Sequence, residues 1–400
     1  MLSVAEAQAR VLAAAGARRR ETVPLHEAHG CYLAEDVAAL LSQPPFNASA
    51  MDGYAVRFED IAPGMTMPVI GEALAGKAFD GMWEEGVAIR ILTGAPMPEG
   101  TDTVILQEDV AYEDGAIRIM EEGPGFAGRH VRKAGQDFAL GALLLKAGSR
   151  LNARAIALMA ASGHGMAEVY ARPRIAILAT GDELVPPGAQ PGPDQIINSN
   201  GVMLSALARA AGAEVADLGI LPDRHDIIRD AIADVKDVDI LVTVGGASVG
   251  DHDYAQAALV DAGATIDFWK IAMRPGKPMM LGTLGDAVAI GLPGNPVSAY
   301  VCAQLFLLPL VRHLMGASNP FPAPLQGRLT MDMPANGPRA NYQRAHVAAG
   351  PDGWEVTPFP VQDSAMLSRL EEANALAIRP AEAPAAEKGS NIAFLPLNND

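Results

Sequence analysis

Cysteine is almost absent. Cys31 and Cys302 stand far apart in 400 residues, and no CxxC occurs. That excludes a disulfide framework, argues against a structural zinc site and fits a reducing compartment. Positive charge is scarce too: 30 Lys and Arg face 47 Asp and Glu, a formal net charge of -17. A surface that coats nucleic acid needs clustered Lys and Arg, so that class is excluded. Any anionic ligand would need a local exception to this global field. Long apolar runs are also missing. The longest, Val297–Val311, is interrupted by Ser298, Gln304 and Pro309, and it falls short of the ~20 residues that cross a bilayer. The N-terminus, MLSVAEAQARVLAAAGARRRE, mixes acids and bases and lacks the basic-then-apolar order of a signal peptide. We therefore expect a soluble, cytoplasmic protein without nucleic-acid or membrane partners. The eight His are scattered. With no Ser-His-Asp order, zinc spacing or helical pair of carboxylates, the chemistry expected is positioning of anions and a metal rather than covalent catalysis.

Half the residues are hydrophobic, with 40 Gly and 30 Pro. This length and composition predict about two to four domains with many tight turns. Residues 1–43 and 141–171 read as a small α+β linking domain, with a helix over 151–163 that ends at Gly163 and returns the chain to its first segment. Residues 44–140 carry short strand-like pieces (Val87–Leu92, Thr103–Leu106, Ala116–Met120) split by Gly, Pro and Asp, which predicts an inserted β-rich domain.

Residues 172–318 alternate strand and helix. Strands are predicted at Arg174–Ala179, Glu214–Leu218, Asp239–Val244, Ile266–Ala272, Met279–Leu281 and Ala287–Gly291. Helices are predicted at Asn198–Ala211, Asp226–Val235, Tyr254–Ala262 and Val297–Met315. Ser199 or Asn200 would cap the first helix and Gly212 would end it. Near-continuous apolar strands separated by helices predict a mostly parallel α/β sheet covered on both faces. Residues 319–400 open with Pro320, Pro322 and Pro324 and then read as a small β domain.

In open α/β sheets, ligands collect beyond the carboxyl ends of the strands. Several unusual loops here follow strands. Gly245-Gly246-Ala247-Ser248-Val249-Gly250 ends in Asp251-His252-Asp253. It is neither GxGxxG nor Walker A, since Asp251-His252 stands where Lys-Ser/Thr is required. One reading is a tight turn without ligand. The other is a nest of N–H groups plus Ser248 around an anion, with Asp251 or Asp253 holding a divalent cation against it.

Lys270, Arg274 and Lys277 in FWKIAMRPGKP form either a solvated edge or the electropositive exception. Pro293-Gly294-Asn295-Pro296-Val297-Ser298 is a helix start whose N–H groups and dipole suit an anion. Asp182 and Glu183, after Thr180-Gly181, cap a turn or bind a metal. In the β-rich region, Ser49 and Asp52 of PPFNASAMDGYAV and the turn Thr93-Gly94-Ala95-Pro96 are polar groups without an evident packing purpose.

Taken together, PPFNASAMDGYA, TGAPMPEGTDTVI, VRKAGQDF, ATGDEL, INSN, GGASVGDHDY, FWKIAMRPGKP, GLPGNPVSAY and QDSAMLSRLEEANAL closely resemble, in order and over nearly the whole chain, the molybdopterin molybdenumtransferase (MoeA) family, related to the gephyrin E domain. The resemblance implies a central molybdopterin-binding, MogA-like α/β domain and a C-terminal β-barrel-like domain. It also implies an enzyme that inserts molybdenum from molybdate into adenylylated molybdopterin, releasing AMP in a Mg²⁺-dependent step. An elongated homodimer would form its cleft between the α/β domain of one subunit and the β-rich domain of the other.

By motif position the resemblance implies roles for Asp52, Thr93, Asp137, Glu183 and Asp223 in catalysis, and for Glu183 and Asp253 in metal binding. Gly245, Gly246, Ser248, Gly250, Lys270, Arg274, Lys277, Pro293, Asn295, Pro296, Ser298, Arg344 and Ser364 would meet substrate. Departures from the family pattern are Gln136 for Glu, Arg274 for Lys, Asn47-Ala48 for Asp-Asn, and PDRHD around Asp223, where Asp223 or Asp226 fills the acidic position. Partners implied are molybdopterin adenylyltransferase and the apoproteins or chaperones of molybdoenzymes. The rival roles are a gephyrin-like scaffold that binds peptides at a dimer surface and an adenylating enzyme of the same fold. The β-rich and C-terminal domains argue against the second.

Overall fold

The computed structural model describes residues 1–120, 123–245, 254–268 and 270–397. Its centre is a six-stranded sheet in the order Glu214–Leu221, Arg174–Thr180, Ile240–Val244, Ala287–Leu292, Met280–Leu284, Thr265–Phe268. The first four strands are parallel, and Met280–Leu284 runs antiparallel to both its neighbours. Both faces are covered, and the strand alternation shows it. Ile175 and Ile177 enter one core with Leu204 and Phe306, while Ala176 and Leu178 enter another with Ile228 and Leu259. Burial on both sides is what made these strands read as unbroken apolar runs.

The predicted strand Ile266–Ala272 is instead divided. Thr265–Phe268 belongs to the central sheet, while Met273–Arg274 pairs in parallel with Ala340 and Asn341 of the C-terminal domain. Ile271 and Met273 are buried in the core that joins the two domains. An apolar run states that it is buried, not against which sheet. The cap of helix Ser199–Ala210 also differs from expectation: the Asn198 side chain accepts from Gly201 N–H at 3.2 Å.

The closing helix runs over Pro296–Cys302, a wide π turn at Ala303–Leu307 and Leu308–Leu314. The wide turn ends just before Pro309, whose ring an ordinary helix would press on the Leu305 carbonyl and whose missing N–H would leave that carbonyl without a partner. Gln8 supplies one, donating from Nε2 to Leu305 O at 3.0 Å. This helix is long and apolar enough to cross a membrane, but 78% of its apolar window is buried inside the fold.

Helix Val4–Ala13, started by a Ser3/Glu6 capping box, packs Ala7 and Val11 into the same core. The first turns of the chain therefore lie on the α/β body rather than on the linking domain. In the linking domain Arg20–Pro24 pairs with Met166–Tyr170 and Val37–Ala38 with Leu143–Leu145, under a helix over Ala153–Ala161. The β-rich unit is a six-stranded sheet, Thr103–Leu106, Gly53–Val56, Ala88–Ile91, Thr66–Ala73, Ala116–Ile119, Val110–Glu113, with two cores of its own. In the C-terminal domain Ala340–Gly350, Gly353–Pro358, Leu325–Leu329, Asn391–Pro396 and Ala375–Arg379 close on themselves as a barrel around Val356 and Phe394. A short helix, Leu367–Glu371, was not expected there.

Candidate active site

Three chain turns converge at the carboxyl rim of the central sheet. Gly245 has φ 95°, and a Cβ there would lie 2.5 Å from the Thr180 carbonyl, so only glycine lets the two strand ends approach. Gly245 N–H donates to Leu292 O at 3.3 Å, which brings the Pro293-Gly294 turn alongside. Residues 246–253 lie outside the described residues, so Gly246, Ser248, Gly250, Asp251 and Asp253 are not placed.

Next to Gly245 stands an acidic group. Asp223 N–H donates to Asp182 Oδ1 at 3.1 Å. Burial, then the Glu183 and Asp182 carboxylates, push the Asp223 carboxyl above its ordinary value. Glu183 folds back over Gly181, where a Cβ would sit 2.5 Å from its Oε2. Asp226 is elsewhere: it opens helix His225–Asp234 and pairs with Arg224 at 2.7 Å, which holds its carboxyl low. Asp223, not Asp226, is the acid that joins Glu183. Among the described residues no group of three or more His, Cys, Asp or Glu is arranged to hold a metal alone. A pair of carboxylates completed by phosphate oxygens is the usual magnesium arrangement, and the crowded acids fit it.

Lys270, Arg274 and Lys277 are exposed, and none is engaged by a described side chain. Ile271 N–H donates to Lys277 O at 3.1 Å, folding the segment into a loop between strands Thr265–Phe268 and Met280–Leu284. Phe268 pairs with Leu281, and Met280 with Gly291, so this cationic loop leaves and re-enters the sheet at the same rim. Gly276 packs where a Cβ would meet Cys302 Sγ at 2.4 Å, seating the loop on the closing helix.

The start of that helix is already partly engaged. Val297 N–H donates to Ser364 O at 3.0 Å, and Asn295 Nδ2 to Ser364 Oγ at 3.0 Å. Pro293 and Ser298 are buried, and Pro296 occupies the first turn. Predicted residues from two domains thus meet here. Arg344 lies behind them, 1% exposed. Its guanidinium donates to Met366 O at 2.9 Å, Asp363 O at 2.8 Å and Val361 O at 3.3 Å. These bonds hold the 361–366 loop that presents Ser364.

Asn200 was read only as a cap. Its Nδ2 donates to Gly294 O at 2.6 Å, tying the INSN turn to the rim, and its Oδ1 is buried without a partner among the described residues. The signal for this role was in the sequence, an Asn in the first turn of a helix, but its target is 94 residues away.

The remaining predicted residues sit on the β-rich unit. Asp52 Oδ1 accepts from Thr93 N–H and Thr93 Oγ1, both at 2.7 Å, and these bonds hold its carboxyl below the ordinary range. Ser49 is buried and bonds within its own turn, so it shapes the segment that carries Asp52. Asp137 N–H donates to Gln43 O at 2.9 Å, on a loop that Asn47 Oδ1 also holds through Ala134 N–H at 3.0 Å. Asp137 is exposed. Among the described residues no hydrogen bond or ion pair joins 44–140 to the α/β or C-terminal domain. The predicted site residues therefore fall into two separate groups among the described residues.

Three family models match in order: the MoeA N-terminal region (domain I and II) at residues 2–163, the "Probable molybdopterin binding domain" at 176–313 and the MoeA C-terminal region (domain IV) at 326–397. A Haemophilus influenzae protein named molybdopterin molybdenumtransferase is 35% identical over 383 residues, 95% of this chain and 94% of that one. This chain belongs to the MoeA family. A Bacillus subtilis MoeA relative of the same name is 33% identical over 95% of this chain and 90% of its own. The fold agrees: a crystal structure of a molybdopterin biosynthesis MoeA protein from Pyrococcus horikosii matches over 100% of both chains, with TM-score 0.84 and 28% identity.

Proposed function

We propose that this protein is a molybdopterin molybdenumtransferase, which takes adenylylated molybdopterin and molybdate and releases molybdenum cofactor and AMP. The observation that carries this reading is one rim joining an acidic group (Asp182, Glu183, Asp223), a cationic loop (Lys270, Arg274, Lys277) and the Asn295–Ser364 clasp, in a chain that matches its relatives end to end. The cations and turn N–H groups would hold molybdate and the substrate phosphates. Glu183 and Asp223 would hold Mg²⁺, which neutralises phosphoanhydride charge as AMP leaves. Asp52, kept ionised by Thr93, and Asp137 would reach in from the β-rich unit of the second subunit of a homodimer. That arrangement accounts for two half-sites without a bond between them in one chain. Supplying purified protein with adenylylated molybdopterin, molybdate and Mg²⁺ should release AMP stoichiometrically with cofactor. Background AMP release would leave the peptide-binding scaffold as the better account.

A further inference from the structure

Arg90 is the one charged residue of the apolar run Val87–Leu92. Its strand, Ala88–Ile91, pairs antiparallel with Gly53–Val56, and Arg90 stands opposite Tyr54. Asp52 lies two residues before Tyr54. Gln107 N–H donates to Asp52 O at 3.3 Å, which carries the pairing with Thr103–Leu106 one residue beyond the strand. Side-chain alternation then puts Asp52 and Arg90 on one face, as diagonal neighbours roughly 7–8 Å apart. The guanidinium is fixed. Its Nη1 donates to the Tyr54 hydroxyl at 3.2 Å, and its carbon lies 5.8 Å from the centre of the Tyr54 ring. Tyr54 is buried, and its ring is nearly parallel to that of Tyr112, 6.5 Å away. A half-buried guanidinium clamped on a buried ring is a rigid charge rather than a solvated one. That charge bears on the site: Thr93 N–H and hydroxyl hold the Asp52 carboxyl low, and Arg90 adds to their effect.

We propose that Arg90 is a positioning residue, a fixed cation that offsets the charge of Asp52 as it enters an acidic cleft. Its consequence for turnover rests on the transferase reading, in which the β-rich unit of one subunit brings Asp52 to the acidic rim of the other. Carboxylates brought together repel and favour protonation of one of them. A clamped guanidinium on the sheet that carries Asp52 opposes both effects, and it acts through Asp52 rather than on substrate.

Arg90→Gln tests this, because glutamine keeps a donor for the Tyr54 hydroxyl and loses the charge. In AMP release from adenylylated molybdopterin by the full-length protein, Arg90→Gln should lower kcat about tenfold, the order expected of one unit charge roughly 8 Å away near a protein surface. Arg90→Lys, which keeps the charge, should recover most of that loss. In an Asp52→Asn background Arg90→Gln should cost less than about twofold, because the group it acts through is already neutral. A second arm needs no turnover. A water-soluble cationic carbodiimide labels exposed carboxylates, and mass spectrometry reads each position. At pH 6 Asp52 should label about threefold faster in Arg90→Gln than in the wild type. Asp352, exposed on the barrel, should label equally in both. Wild-type protein that releases no AMP would end the transferase reading, and the labelling rates would still decide the role of Arg90. Unchanged labelling of Asp52 in Arg90→Gln, or an equal loss of AMP release with and without the Asp52 carboxylate, would overturn the proposal.

Discussion

Asp223 and Asp52 show one residue type tuned in opposite directions. Asp223 is held above its ordinary range by burial and two neighbouring acids, so the folded state keeps its proton more tightly than the unfolded chain. Its contribution to stability is present below the ordinary aspartate value of about 3.9 and is lost as pH rises through the folded value. At neutral pH the charged group therefore opposes folding. Asp223→Asn should melt higher than the wild type at pH 7.5, with the gap narrowing toward pH 4.5 in a thermal scan. Millimolar Mg²⁺ should raise the wild-type melting temperature more than that of the variant. Asp52 is exposed and takes two donors from Thr93. Asp52→Ala and Glu183→Ala should remain folded by circular dichroism and lower AMP release by about 10²-fold or more, the scale of removing one preorganised electrostatic group. Asp52 stood out in the sequence as a charge amid small residues, and Thr93 and Glu183 as polar residues in turns just past strands. The choice between Asp223 and Asp226 was not, because three positions along the chain separate a strand end from a solvent-facing helix turn paired with Arg224.

Elements were legible where one environment surrounds them. Arg174–Thr180 and Thr103–Leu106 form where their apolar runs predict strands. The segment after Phe268 failed that reading because its residues serve two sheets. Two elements depend on single distant side chains. Gln8 takes up the carbonyl that Pro309 leaves open, across 297 positions. Gln8→Ala should cost about 1–2 kcal/mol in urea denaturation, the value of a partly buried hydrogen bond whose acceptor is left alone. Arg344 holds three carbonyls of the 361–366 loop. Arg344→Ala should cost about 3 kcal/mol, the scale of hydrogen bonds from a charged donor, and lower activity too, through displacement of Ser364 from Asn295.

For the whole molecule, the β-rich unit keeps its own cores, whereas the N-terminal helix, the α/β domain and the barrel share one. Such a unit is placed by its linking domain and, in the proposed homodimer, by the second subunit. If each cleft combines two subunits, mixing Asp52→Ala and Glu183→Ala chains with subunit exchange leaves one intact cleft per mixed dimer. AMP release should then recover to about a quarter of wild type, since half of the dimers are mixed. No recovery would place the whole cleft within one chain. The sequence by itself determined the strand and helix pattern, the motif order and the residue types of the site, because periodicity and turn chemistry are local. Only the tertiary structure decided which acid joins Glu183, that Arg344 braces a loop, and that Asn200, Gly245 and Gly294 meet. Those outcomes depend on contacts between positions tens to hundreds of residues apart, and local pattern does not contain the register that brings them together.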